Sequence, residues 1–201
     1  MTVSARDGFI GVNAFYLAKI TNKASLTYDT PVEVPSIVGI SASPSDDSNP
    51  AYARDEVWID AASDTGGEGS FRIRDILSDS SLRTLLATLS GYLITYEGDL
   101  LDYGEKTPCA ILIERSAYLG HGQRKCFYWC EIGKPDFEAE TKEDGTTIGE
   151  VTFPFKYKRV LLGGTVRCST RDSFYGNSTY DNFFSAVVKT YSTEAPSNGT
   201  T

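Results

Sequence analysis

The chain has 201 residues, among them 18 Gly, 12 Tyr and 10 Phe but one His and one Met, enough to bury a full core as one ordinary domain. Its 27 acids against 19 bases leave a net charge of −8, the wrong sign for a protein that holds nucleic acid through phosphate contacts. The apolar runs, such as residues 110–113 and 160–162, fall far short of the roughly 20 residues that span a bilayer. The first seven residues lack the apolar stretch of a secretory signal, so a cytoplasmic origin is expected.

In chain order, the first unusual feature is charge. Residues 40–70 hold Asp46, Asp47, Asp55, Glu56, Asp60, Asp64 and Glu68 against Arg54 alone, which accounts for −6 of the total −8. One stretch of surface is therefore distinctly anionic, whether as a solvated face or as a functional one. Within it, residues 43–53 carry Pro44, Asp46, Asp47, Asn49 and Pro50, which is loop chemistry and predicts a long loop or hairpin extension. Residues 57–61 alternate, with Val57, Ile59 and Ala61 on the side expected to face the core and Glu56, Trp58 and Asp60 on the other. Gly66-Gly67-Glu68-Gly69 has neither the Lys-Ser/Thr nor the following helix of a phosphate-binding loop and reads as a flexible hairpin tip. Phe71-Arg72-Ile73-Arg74 is a strand with one wet face.

Residues 79–91 break the β pattern: Leu82, Leu85, Leu86 and Leu89 recur at helical spacing, predicting an amphipathic helix capped by Ser78 or Asp79 and ended by Gly91. Residues 110–113 and 126–130 lack alternation and read as strands covered on both faces, central in the sheet. The clearest alternation is at 151–157, with Val151, Phe153, Phe155 and Tyr157 on one side; Pro154, having no amide to donate, favours an edge or a bulge there. Asp144-Gly145 is a turn dipeptide. Residues 179–188 suit a helix start at Asp181 or, through Phe183, Phe184, Val187 and Val188, a strand. Residues 191–201 read as a mobile tail. The predicted architecture is α+β and mainly β: two packed antiparallel sheets, sandwich or barrel-like, with one flanking helix near 79–90, as a single domain over 1–190.

Chemistry is sparse. The lone His121 lies in a Gly-His-Gly turn and reads as a solvated hairpin residue. Cys126 and Cys130 share a face of a straight strand about 13 Å apart, too far for a disulfide or a common metal. With Cys109 and Cys168 they form no C-x-x-C pair, so buried reduced thiols are expected. The sequons at Asn177 and Asn198 matter only in a secretory pathway, and the many carboxylates show no acid/base pocket. The expectation is a binding or assembly protein, not an enzyme, with no cofactor and no metal. A carbohydrate- or receptor-binding β-sandwich using Trp58 or Trp129 as a stacking platform, and a small hydrolase, are the competing readings.

The segments GFIGVNAFYLAKI at 8–20, TYDTPVEV at 27–34, ISASPSDDS at 40–48 and YARD at 52–55, with the ETKED turn at 140–144, resemble the major tail proteins of long-tailed bacteriophages, of the phi13-type family. The resemblance covers most of residues 8–170 in order of elements; Phe153-Pro154-Phe155 and the basic run Lys156 to Arg159 depart from it. It implies a virion tail-tube protein assembled in the bacterial cytoplasm. Six copies would close into a ring, and rings would stack around a tape-measure protein. Tail-terminator and distal tail or baseplate proteins would be further partners, and DNA would transit the lumen without specific binding. On this reading Ser43, Pro44, Asp46, Asp47, Asn49 and Tyr52 form an inter-subunit or inter-ring loop, and Glu56, Asp60, Asp64 and Glu68 face the lumen, where like charge repels a passing phosphate chain. Tyr16, Tyr52, Trp58 and Tyr128 would suit subunit edges, and Arg72 and Arg74 could pair with the acids across strands. No appended immunoglobulin-like domain is expected.

Overall fold

The structure, a computed structural model, describes residues 9–53, 56–74, 79–95, 97, 99–102, 104–117, 122–135, 150–164 and 166–191, and for 9, 10, 46–53, 56–65 and 117 the backbone alone. It is mainly β with one helix. The strands are β1 (Phe9–Asn22), β2 (Thr27–Tyr28), β3 (Val32–Glu33), β4 (Ile37–Ala53), β5 (Glu56–Arg74), β6 (Tyr92–Ile94), β7 (Leu100–Asp102), β8 (Cys109–Ala117), β9 (Gln123–Ile132), β10 (Glu150–Lys158), β11 (Val160–Leu162), β12 (Val166–Cys168) and β13 (Thr170–Ser173). Helix α1 (Ser80–Ser90) lies between β5 and β6. Nine strands form one antiparallel sheet in the order β2-β1-β8-β9-β10-β5-β4, with β13 on β9 and β3 on β1; β6-β7 and β11-β12 are separate two-stranded sheets.

Alternation explains which faces are buried. In β10, Phe153, Phe155 and Tyr157 are buried and Thr152, Pro154, Lys156 and Lys158 exposed. In β5, Phe71 and Ile73 are buried and Arg72 and Arg74 exposed. These apolar sides meet Phe15, Leu17, Ile111, Ile113, Phe127 and Ile132 in an inner cluster. Both faces of β8 and β9 are covered, as their continuous apolar runs require: Ala110, Leu112, Cys126 and Tyr128 belong to a second, outer cluster. The two packed layers are thus two parts of one sheet that curls around its inner cluster, and α1 adds Leu82, Leu86 and Leu89 to that cluster.

The helix follows its local signals. The Asp79 carboxylate accepts from the Ser81 and Leu82 amides, and Gly91 closes the helix at φ 91°, a left-handed conformation that glycine adopts without a Cβ penalty. Pro154 is also well placed: pairing of β10 with β9 ends at Phe155 opposite Ile132, and beyond it the Pro154 carbonyl accepts from the Gly133 amide at 2.6 Å. No ladder partner is lost there for want of an amide hydrogen.

Three sequence expectations are corrected. Gly66-Gly67-Glu68-Gly69 is no hairpin tip: these residues lie within β5, paired with residues 42–45 of β4 and 155–158 of β10. Glycine is needed because aromatic rings lie on this backbone. A Cβ on Gly67 would stand 2.5 Å from the Tyr157 hydroxyl oxygen, and one on Gly69 2.7 Å from the Phe155 ring. Cys126 and Cys130 do not share a face. Between Cys109↔Cys130 and Ile111↔Phe127 strand β9 advances one residue more than β8, a bulge that reverses the alternation, so Cys126 joins the outer cluster and Cys130 the inner. Residues 179–188 are neither helix nor strand: 179–185 form consecutive turns, with Phe183 N donating to Tyr180 O and Ser185 N to Asn182 O, and 187–188 continue irregularly.

Candidate assembly surface

The wet face of β4, β5, β10 and β9 is built from the exposed alternates of the same strands. Ser43, Glu68, Lys156 and Glu131 stand opposite one another across the four strands, and Ser41, Ser70 and Pro154 form the next row. At one end of the face Glu150 accepts from both arginines, at 2.9 Å from Arg72 and 2.6 Å from Arg74. The Arg74 hydrogen bond, more than the neighbouring charges, holds the Glu150 carboxyl below its ordinary range. Arg72 and Arg74 therefore pair with a carboxylate on β10. At the other end the Lys158 ammonium lies 4.3 Å over the Trp129 ring and 3.8 Å from Glu131. The described face thus offsets Glu68, Glu131 and Glu150 with Arg72, Arg74, Lys156 and Lys158. Its charge is close to balanced, and the acidic excess of residues 40–70 lies beyond Ser45.

Residues 43–53 take the hairpin form. Ser43, Pro44 and Ser45 are exposed and pair with Glu68, Gly67 and Gly66, and the ladder continues from Asp46↔Asp64 to Ala53↔Glu56. Asp47 and Asn49 pair with Ser63 and Ala61, Pro50 with Asp60, and Tyr52 with Val57. Beyond Gly66 strand β5 has left β10, which pairs only as far as Gly66↔Lys158. Among the described residues, the outer halves of β4 and β5 pair with nothing but each other. Of the four acids expected on one lumen face, Glu68 is exposed on the wet face; Glu56, Asp60 and Asp64 lie in the ribbon beyond a bulge at Thr65, where the register steps from Ser45↔Gly66 to Asp46↔Asp64. The side chains of Asp46, Asp47, Asn49, Tyr52, Glu56, Trp58, Asp60 and Asp64 lie outside the described residues. So do Asp55, His121, residues 140–145, Asn198 and the tail from 192.

The convex side of the sheet is closed by residues 174–188. Arg124 on β9 ion-pairs with Glu114 at 2.6 Å, donates to the Tyr180 carbonyl, and stacks 3.8 Å from the Tyr180 ring centroid and 4.8 Å from that of Phe184. Asn13 gives Glu114 a second donor at 2.8 Å, so both partners of this nearly buried pair are hydrogen-bonded. Tyr128, expected at a subunit edge, is fully buried here, and its hydroxyl donates to Val188 O at 2.8 Å. Tyr16 stacks on Phe184 at 4.6 Å.

Among the described residues no three His, Cys, Asp or Glu side chains converge on a metal position. Cys109, Cys126 and Cys130 are free and buried, and burial pushes their thiols far up from the ordinary value. No described helix is long and apolar enough to cross a membrane. What the surface does offer is exposed apolar side chains: Leu93, Leu100 and Leu101 on β6-β7, Leu161 and Val166 on β11-β12, and Phe174 with Tyr175. Sequence reasoning missed these, because short strands flanked by polar turns carry no periodicity to place them.

The chain matches no protein-family model and no curated protein sequence.

Proposed function

We propose that this chain is a structural virion protein, a tail-tube subunit that closes into six-membered rings, which stack into the conduit through which phage DNA leaves. The observation that carries the reading is the ribbon made by the outer halves of β4 and β5. Eight residues from Asp46 to Ala53 pair with 56–64, an arm of about 26 Å at the usual rise per strand residue. A two-stranded ribbon is marginally stable in water by itself, and its two outer edges present unpaired amides and carbonyls. A neighbouring copy that supplies strand partners satisfies both needs. A contact between different surfaces on identical subunits generates rings or filaments according to the rotation, which is what a tube requires.

The tape-measure protein, a tail terminator and distal tail or baseplate proteins are the further partners of this reading, and the virion tail is its location. DNA passes without specific binding. On this reading Glu56, Asp60, Asp64 and Glu68 supply lumen charge, and because the described wet face is nearly balanced, the ribbon acids supply most of it. The alternative of a carbohydrate- or receptor-binding module loses one of its two platforms, since Trp129 is only partly exposed and carries Lys158 over its ring. Purified protein examined by light scattering and negative-stain microscopy over a concentration series tests the reading. Rings or tubes support it; a strict monomer at every concentration overturns it.

A further inference from the structure

Two of the four free cysteines face each other across the sheet. Cys109 opens β8 and is paired directly with Cys130 of β9. Both side chains belong to the inner cluster, so their Cβ atoms lie on one side of the sheet. Directly opposed residues of an antiparallel pair have Cα atoms about 4.5 or 5.5 Å apart, according to the hydrogen-bond pattern. Both separations fall within the range of about 4.4–6.8 Å that a disulfide spans. The Ile111 main chain, two residues along β8, hydrogen-bonds Cys130 and draws its sulfur toward that strand. The other two cysteines have no such relation: Cys126 stands opposite Leu112 and Arg171 in the outer cluster, and Cys168 opposite Val160.

A bulge separates this rung from the rest of the β8-β9 ladder, which resumes at Ile111↔Phe127. Each cysteine is also held from its far side, Cys109 by Lys19 of β1 and Cys130 by Tyr157 of β10. A covalent link at this rung would therefore tie β1-β8 to β9-β10 at the point where main-chain pairing between the two halves is irregular. Neither sulfur is exposed, and burial pushes both thiols up from their ordinary value. The thiolate, which is the attacking species, is scarce in the closed fold. Reaction passes through local opening of the rung.

We propose that Cys109 and Cys130 are a cross-strand dithiol that acts as a redox-dependent clamp, closing into a disulfide when the chain meets an oxidant of the low-molecular-weight disulfide class. One cysteine thiolate attacks the reagent, displaces one reduced thiol and is left as a mixed disulfide; the other cysteine then displaces the second. Two protein S–H bonds are exchanged for one S–S bond, and both hydrogens and both electrons leave on two molecules of reduced thiol. Reducing surroundings keep the clamp open and oxidising ones close it. Once closed, it constrains the unfolded chain over residues 109–130 and so stabilises the fold. The clamp acts within one chain and is independent of the assembly reading.

The test uses full-length protein carrying Cys126→Ala and Cys168→Ala, which keeps only the opposed pair. Reduced protein is incubated with glutathione disulfide, in buffer and in urea below the unfolding transition, and the remaining thiols are alkylated in denaturant and counted by mass. Loss of both thiols within a monomer is expected, and faster loss in urea. The oxidised form is expected to unfold with an equilibrium constant about a hundredfold below that of the reduced form, the usual scale for a disulfide closing a loop of this length. In wild-type protein the same link is read after chymotryptic cleavage, which separates Cys126 from Cys130 at Phe127, Tyr128 or Trp129. Two alkylated thiols at the end of the incubation, glutathione adducts without a link, wild-type links that join other cysteines instead, or a link that leaves stability unchanged or lowers it would each overturn the proposal.

Discussion

The rings of Phe15 on β1 and Phe71 on β5 lie 5.1 Å apart, although four strand steps separate β1 from β5 in the sheet. In a flat sheet those steps would hold the two residues roughly 19 Å apart. The contact therefore measures the curl, and the stack continues through Phe153, 5.4 Å from Phe71, and Phe155, 6.2 Å from it. The curl leaves an inside, which the aromatic residues fill.

Gly67 and Gly69 set how closely the β4 backbone and the aromatic rings of β10 lie on β5. A Cβ would stand 2.2 Å from Ser43 O at Gly67 and 2.2 Å from Ser41 O at Gly69, contacts with backbone that cannot yield locally. Gly67→Ala and Gly69→Ala are each expected to cost about 3 kcal/mol, at the upper end of overpacking changes. Gly11→Ala serves as a control for a glycine with open space around it and no left-handed backbone, and denaturant unfolding of the three variants separates them.

Glu150 makes the wet face pH-dependent. Its carboxyl is held below the ordinary range by Arg74 and Arg72, so the folded state binds its proton less readily than the unfolded chain. That contribution is fully present above the ordinary glutamate range and is lost as pH falls through the depressed folded value. Glu150→Gln is expected to flatten the acid side of the stability–pH profile while leaving its slope above neutrality unchanged, as read by thermal melts across a pH series.

Arg124 fastens the convex cover. Arg124→Ala removes the partner of Glu114, itself only 9% exposed, and the platform under Tyr180 and Phe184. Breaking one side of a buried pair costs about 3–5 kcal/mol. Cleavage by a protease within residues 174–191 of the variant, at a rate well above wild type, is the accompanying signature; uniform cleavage over the whole chain would contradict it.

The thiols report the core. Cys109, Cys126 and Cys130 are buried with their pKa values pushed up by desolvation, while Cys168 is half-buried and less strongly raised, with Arg171 and Arg159 lowering its value against burial. A chromogenic disulfide reagent is expected to modify Cys168 first in native protein and all four cysteines in denaturant. Fast reaction of Cys109 or Cys130, which stand opposite each other in the ladder, would contradict the described core.

Sequence by itself determined what depends on near neighbours. The helix at 80–90 follows from leucine spacing, the Asp79 cap and Gly91. The buried alternates of β10 and of 71–74 follow from period two, and the two-sided cover of β8 and β9 from their unbroken apolar runs. What only the tertiary structure decided lies between strands distant in the chain. Whether Gly66 to Gly69 is a turn or the middle of a strand depends on the rings of Phe155 and Tyr157, some ninety residues away. Strand parity failed at Cys126 and Cys130 because one bulged residue, invisible in composition, reverses every side chain after it. Residues 179–188 carry apolar side chains with no regular period because they fit the convex surface already made by β8 and β9. The curl that brings Phe15 to Phe71 comes from packing bulky rings on one face of a long sheet, a property of the whole sheet that no local segment encodes.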